Sequence, residues 1–310
     1  MNKLWIALAL WLAAANVQAT DVDSSAMVEA EATARQLIET VRTEKQEQVR
    51  VVASNELEEL LQKTLEMEGS YAYNFKDLEG ISILQAPNKD FRIFSWQLYV
   101  DKNDYQYRGF IQKKDGKVYK LDDKSDEMRG VEFSLLKPEK WYGALYYNMQ
   151  AFEHEGQACY LLFGLDSYGF FNRRKILEVL YFDESGQPMF GKTVLEMKDG
   201  RGQLRQVKRM IMEYSATVSV TLNYNKNLQK VVFDHLVYGS PVKGEMPTNV
   251  PDGSYSGMEM TKEGFWRYVD KVYKDDPNNV LINATSYESI LEQEKEKPKK
   301  KKKDIFGRSK

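Results

Sequence analysis

Cysteine and histidine are almost missing from this chain of 310 residues, which has one Cys and two His. With Cys159 alone, the core cannot rest on internal disulfides. Cys159 lies in the apolar run Cys159-Tyr160-Leu161-Leu162-Phe163 and is expected as a small buried hydrophobe, because a reactive thiolate needs an exposed, electropositive setting. One cysteine and two distant histidines offer no ligand pair at zinc spacing. No Gly-x-Ser-x-Gly elbow supports a serine nucleophile. The nearest approach to a phosphate loop is Gly200-Arg201-Gly202, which sits in a hairpin turn rather than before a helix. No metal and no cofactor are therefore expected. After the first residues, no apolar run is long enough to span a bilayer.

What is present begins at the N-terminus. Met1-Asn2-Lys3 carries one positive charge, Leu4 to Ala15 is apolar, and Val17-Gln18-Ala19 has small-x-small spacing. That order predicts a secretory signal peptide over residues 1–19, with a periplasmic or secreted mature chain. No cysteine follows the cleavage site, so a lipid-anchored lipoprotein is not expected.

The formal charge of −2 hides an asymmetry. The stretch from Glu294 to Lys310 has nine Lys/Arg and three Asp/Glu, which leaves the body from Thr20 to Gln293 at −9. An acidic body lacks the basic stripe that nucleic acid requires. The run Lys299, Lys300, Lys301, Lys302 and Lys303 reads first as a solubilising, disordered arm over 292–310. As a binding element it would meet an anionic envelope surface or an envelope protein, each Lys near such a surface adding about 1 kcal/mol before salt screening.

Residues 20–69 read as helical. Ser24 to Gln48 is rich in Ala, Glu, Gln and Arg and puts Met27, Ala30, Ala34, Leu37 and Val41 on one stripe. A second helix is expected from about Glu56 to Met67, capped by Ser54 or Asn55, with Leu57, Leu60, Leu61 and Leu65 inward. From residue 70 to 291 the period changes to strands. Phe94, Trp96, Leu98 and Val100 alternate, as do Val218, Val220, Leu222 and Tyr224. Turn signals such as Asp115-Gly116, Glu155-Gly156, Ser185-Gly186 and Asp199-Gly200 fall between them. Tyr160–Leu165 and Ile176–Phe182 are nearly continuous apolar runs, the mark of strands covered on both faces. Residues 240–256 are expected as a loop, followed by a hairpin of 254–261 with 265–272. The fold class is mainly β within α+β. It is an antiparallel meander forming a two-layer sheet or a barrel-like domain, with two N-terminal helices and the basic tail.

No catalytic constellation stands out. His154, in Glu153-His154-Glu155-Gly156, is expected as an exposed turn residue. His235 shares a strand face with Val231, Phe233 and Val237 and is expected as a satisfied core histidine, with a catalytic base as the minority reading. Glu178 and Asp234 each interrupt an apolar strand, so an acid-dependent hydrolase would draw on them; otherwise each points at solvent or a backbone partner. Asp122 to Glu127 concentrates four carboxylates without EF-hand spacing and reads as a solvated acidic turn. Asn283-Ala284-Thr285 is a three-residue sequon of low specificity.

Four stretches carry a resemblance: Trp141 to Asn148, Leu162 to Asp166, Lys175 to Asp183, and Val231 to Leu236. Over about half the chain they resemble a group of uncharacterised secreted proteins of Gram-negative bacteria. The resemblance implies a periplasmic or exported β-rich protein. It carries over no functional residue, and the basic tail lies outside the pattern.

The expectation is a non-catalytic envelope protein that binds a partner or ligand. The alternatives are an envelope hydrolase using acidic residues and a β-cup carrier of an apolar ligand. An enzyme would show convergent carboxylates of perturbed pKa in a cleft. A carrier would show an apolar cavity, and a scaffold an exposed aromatic patch.

Overall fold

The computed structural model describes residues 24–239 and 247–273. It is β-rich, with two helices at the N-terminus and sheets that do not close into a barrel. Among the described residues no helix is long and apolar enough to cross a membrane.

Helices α1 (Ser24–Thr43) and α2 (Glu47–Glu66) form an α-hairpin. The first helix stops five residues earlier than its composition predicts, and the second starts nine earlier. Ser54 is consequently not a cap; it is buried inside α2. The break is held by Arg50. Its guanidinium donates to the carbonyls of Glu44 (2.9 Å) and Lys45 (2.7 Å), and to those of Tyr99 (2.8 Å) and Val100 (2.8 Å). One buried side chain thus satisfies the end of α1 and ties the helix turn to a strand.

The first sheet is a meander of β1 (Ser82–Gln85), β2 (Phe91–Asp101), β3 (Asp104–Lys113) and β4 (Val118–Asp122). Its alternation is used on both sides. Phe94, Trp96, Leu98 and Phe110 pack against Ile38, Val41, Leu57, Leu61 and Leu65 of the helices. Phe91, Ile93, Tyr107 and Ile111 face the next sheet. Each large apolar side chain buried this way contributes roughly 1.5–3 kcal/mol.

The second sheet contains β5 (Leu145–His154), β6 (Gln157–Asp166), β7 (Asn172–Phe182), β8 (Pro188–Phe190) and β11 (Arg209–Ser215). It is the middle layer. Tyr160, Leu162, Ile176 and Leu180 meet the first sheet, while Cys159, Leu161, Phe163, Leu177 and Val179 meet the third. The continuous apolar runs of β6 and β7 are therefore covered on both faces, as their lack of alternation predicts. Cys159 is fully buried, and burial pushes its thiol up to about 11.

The third sheet runs in the order β10 (Leu204–Val207), β9 (Leu195–Lys198), β15 (Trp266–Val269), β14 (Thr248–Met260), β13 (Lys230–Gly239), β12 (Leu222–Asn225). All of its pairs are antiparallel except β9 with β15, where Leu195 and Trp266 are partners. Residues 248–256, read as loop from their Gly, Pro and Asp content, belong to β14 and pair with β13. The stack is thus helices, sheet, sheet, sheet. It has more layers than the expected two, within the expected class.

Candidate functional site

Sheet one and sheet two part at the end where β3 begins and β6 finishes. The β2–β3 turn, residues 125–132 and the ends of β6, β7 and β11 enclose a cleft of about 630 Å³ there. Its back wall is Asp166, the last residue of β6, which is only 5 % exposed. Asp166 Oδ2 accepts from the Tyr142 hydroxyl (3.2 Å). Its Oδ1 accepts the Tyr168 N–H (2.8 Å) and lies 3.3 Å from the Tyr107 hydroxyl. Burial pushes the carboxyl up to about 6, against the pull of the Tyr168 amide and of Arg174. Burial, and then the Asp166 charge, raise the Tyr142 phenol.

Arg174 of β7 forms one side wall. It donates to Glu213 Oε2 from Nε (2.9 Å) and Nη2 (2.8 Å), and to the Tyr142 oxygen from Nη1 (3.0 Å). Its guanidinium carbon lies 3.2 Å from the centre of the Tyr168 ring. Glu213 Oε1 takes the Asn172 amide (2.9 Å). At the mouth, burial and then the charge of Asp126 raise the Asp104 carboxyl. The β6–β7 loop beside the mouth exposes Tyr168, Phe170 and Phe171, the last at 76 %.

The loop that supplies Tyr142 is anchored by Asp123. This carboxylate accepts the N–H groups of Tyr107 (2.9 Å), Ser125 (3.0 Å) and Gly143 (3.2 Å). A Cβ at residue 143 would overlap the Asp123 carboxylate, so the close approach requires glycine. The acidic turn is hence only partly solvated: Asp126 and Glu127 are exposed, while Asp123 is a structural post.

The residues singled out from sequence do not converge. Glu178 is fully buried between sheets one and two. Its Oε2 pairs with Arg209 Nε (2.7 Å) and Nη2 (2.6 Å), and its Oε1 takes the Tyr146 hydroxyl. Trp141 Nε1 donates to the same Tyr146 oxygen (2.8 Å), and Arg209 Nη1 donates to the Val131 carbonyl (2.7 Å). Asp234 belongs to the third sheet, where it is buried and accepts the Thr221 N–H.

His235, expected in the core, is partly exposed. A register shift between Asp234 and Leu236 moves it off the Val231–Phe233 face, and Nδ1 meets Asp252 Oδ2 at 2.9 Å. Ser254 and then His235 hold the Asp252 carboxyl down at about 2. His154, expected exposed, is 5 % exposed. The two-residue turn Glu155-Gly156, both with positive φ, docks on the β14–β15 turn. There His154 Nδ1 meets the Gly264 carbonyl (3.1 Å), and its ring stands edge-on to Phe265. Lys299 to Lys303, the sequon and the signal segment lie outside the described residues.

The cleft residues Asp166, Arg174 and Glu213 had one weak signal. Asp166 is a charge that ends the apolar run of β6, while Arg174 and Glu213 lie on strands that carry other charges and do not stand out. The chain matches no protein-family model and no curated protein.

Proposed function

We propose that this is a non-catalytic, periplasmic or secreted protein of the cell envelope, akin to the uncharacterised secreted group, that takes a ligand or partner in the tyrosine-lined cleft. The carrying observation is the state of the cleft's polar groups. Asp166 and Glu213 are held by neighbours on both oxygens, which suits a preorganised recognition surface. The exposed aromatic loop at the same mouth supplies area for a partner. The basic run at residues 299–303 adds contact with an anionic envelope surface or an envelope protein.

The test is crosslinking in intact cells with mass spectrometry. A reproducible partner or ligand should map to residues 103–105, 126–132 or 168–171, and Phe170→Ala with Phe171→Ala should weaken its capture. Crosslinks that fall only elsewhere would sink the cleft as the site. Removing 294–310 should leave the melting temperature unchanged and abolish salt-sensitive envelope association. Association that survives removal would dismiss the arm.

One observation favours the hydrolase alternative: Asp166 titrates near 6 in a cleft that also holds Asp104. Hydrolysis of an envelope polymer that disappears with Asp166→Asn in a folded variant would establish it. The β-cup carrier has less support, since the cleft is lined mainly by polar groups.

A further inference from the structure

The proposal below rests on the cleft being the ligand site and concerns what it takes. The cleft contains five carboxylates, Asp104, Asp126, Glu132, Asp166 and Glu213, and two guanidiniums, Arg129 and Arg174. Arg174 is already spent: two of its nitrogens serve Glu213 and the third serves the Tyr142 oxygen. Arg129 turns back on its own loop, donating to the carbonyls of Met128 (2.9 Å) and Asp126 (3.5 Å). Asp104, Asp126 and Glu132 form no ion pair among the described residues.

The decisive group is Asp166. It is a carboxylate at 5 % exposure whose hydrogen-bond partners, Tyr107, Tyr142 and the Tyr168 amide, are all neutral. A buried carboxylate without a cation in contact is costly. The same wall already shows how a cation is received, because the Arg174 guanidinium sits over the Tyr168 ring, 3.2 Å from its centre, while paired with Glu213. Tyr105, which packs against Tyr99 with ring centres 5.3 Å apart, adds a second electron-rich ring at the mouth. Aromatic faces beside uncompensated carboxylates are the elements that receive organic ammonium groups.

We propose that the cleft binds the alkylammonium group of a polycationic ligand, between Asp104, Asp126 and Asp166 and the rings of Tyr105 and Tyr168.

That chemistry has two sources: a free polyamine or basic peptide, or the chain's own lysines at 299–303. Both are reached by titrating spermidine into the full chain by calorimetry, with maltotriose and citrate as neutral and anionic probes. Spermidine should bind with one-to-one stoichiometry. Asp126→Asn and Asp104→Asn lie at the mouth, where folding is not at stake. Each should weaken binding roughly three- to tenfold, as the loss of one partly desolvated charge contact does. Asp166→Asn should weaken it by at least as much.

Spermidine heats that are absent, or that are unchanged in the Asp104→Asn, Asp126→Asn double variant, overturn the proposal. If maltotriose or citrate binds instead and those variants abolish it, the cation is wrong and the cleft remains a binding site. If none of the three probes binds, both readings fall. The sources separate in a full chain with Lys299 to Lys303 each changed to Gln. Spermidine affinity that rises, together with loss of carbodiimide crosslinks from those lysines to Asp104 or Asp126, assigns the group to the chain itself. Unchanged affinity assigns it to an outside amine.

Discussion

Glu178 and Asp166 lie on neighbouring strands of the middle sheet, and each has at most 5 % exposure. Each also meets a tyrosine hydroxyl. Glu178 sits in the middle of β7, opposite Arg209 on β11, and its partners complete both its charge and its lone pairs. Asp166 ends β6, where the two sheets part, and the arginine nearest to it is committed to Glu213. One carboxylate is therefore sealed and paired, and the other is buried at an opening with no direct ion pair among the described residues, feeling Arg174 only at a distance. Burial alone does not distinguish the two acids; a directly paired counter-charge does.

The largest break of this comparison is at Glu178. Glu178→Ala leaves Arg209 charged and buried, and should cost about 3–5 kcal/mol in urea unfolding. Glu178→Leu combined with Arg209→Met should recover most of it, because two apolar groups of similar size leave no orphan charge. A single variant within about 1 kcal/mol of wild type would remove the distinction between the two acids.

Asp166 should make the stability of the fold depend on pH. Burial pushes its carboxyl up to about 6 from the ordinary aspartate value of 3.8, so the native state holds this proton more tightly than the unfolded chain. The contribution is fully present below about pH 4 and is lost as pH rises through about 6. Asp166→Asn stays neutral throughout. From pH 4 to pH 7 the variant should therefore gain on wild type, by at most about 3 kcal/mol. Thermal unfolding of both proteins across that range reads this directly, and parallel curves would mean that Asp166 is solvated.

The wall between the two acids is sharpened by Gly143→Ala. The new Cβ meets Asp123, which must release an N–H, at about 1–3 kcal/mol. Binding in the cleft should suffer with it, since Tyr142 is the adjacent residue. Tyr142→Phe removes two hydrogen bonds, the one given to Asp166 and the one accepted from Arg174, at about 1 kcal/mol each. It also deprives Asp166 of a donor, so the Asp166 titration should move further up.

Much of the layering could be read from the chain. β6 and β7 lack alternation because both of their faces are covered, and the turn glycines fall between strands as expected. The helix boundary could not be read, because Arg50 fixes it through carbonyls of β2 that are about fifty residues away. His154 is buried by one hairpin turn docking on another, a contact with no local signature. His235 fails for a different reason: a bulge changes which residues face inward, and period-two reasoning assumes no bulge. The pair of Glu178 and Arg209 is invisible locally, since its members are separated by 31 residues. The cleft is the least legible part. A charge that closes an apolar run reads as a strand end, and only the stacking of sheets turns it into a wall.

The parallel pairing of β9 with β15 sets a timetable for the chain. Leu195 waits for Trp266, so the third sheet cannot close until the last described strand exists. During synthesis from the N-terminus, the β9–β10 hairpin must stand with the β9 edge open while some sixty further residues appear. Such long-range closure is slow, and an open strand edge invites pairing with another chain. The exposed Arg205 and the charged Glu196 and Lys198 on that hairpin are well placed as gatekeepers for the interval. Neutralising them should raise aggregation during refolding more than it lowers the stability of the finished protein.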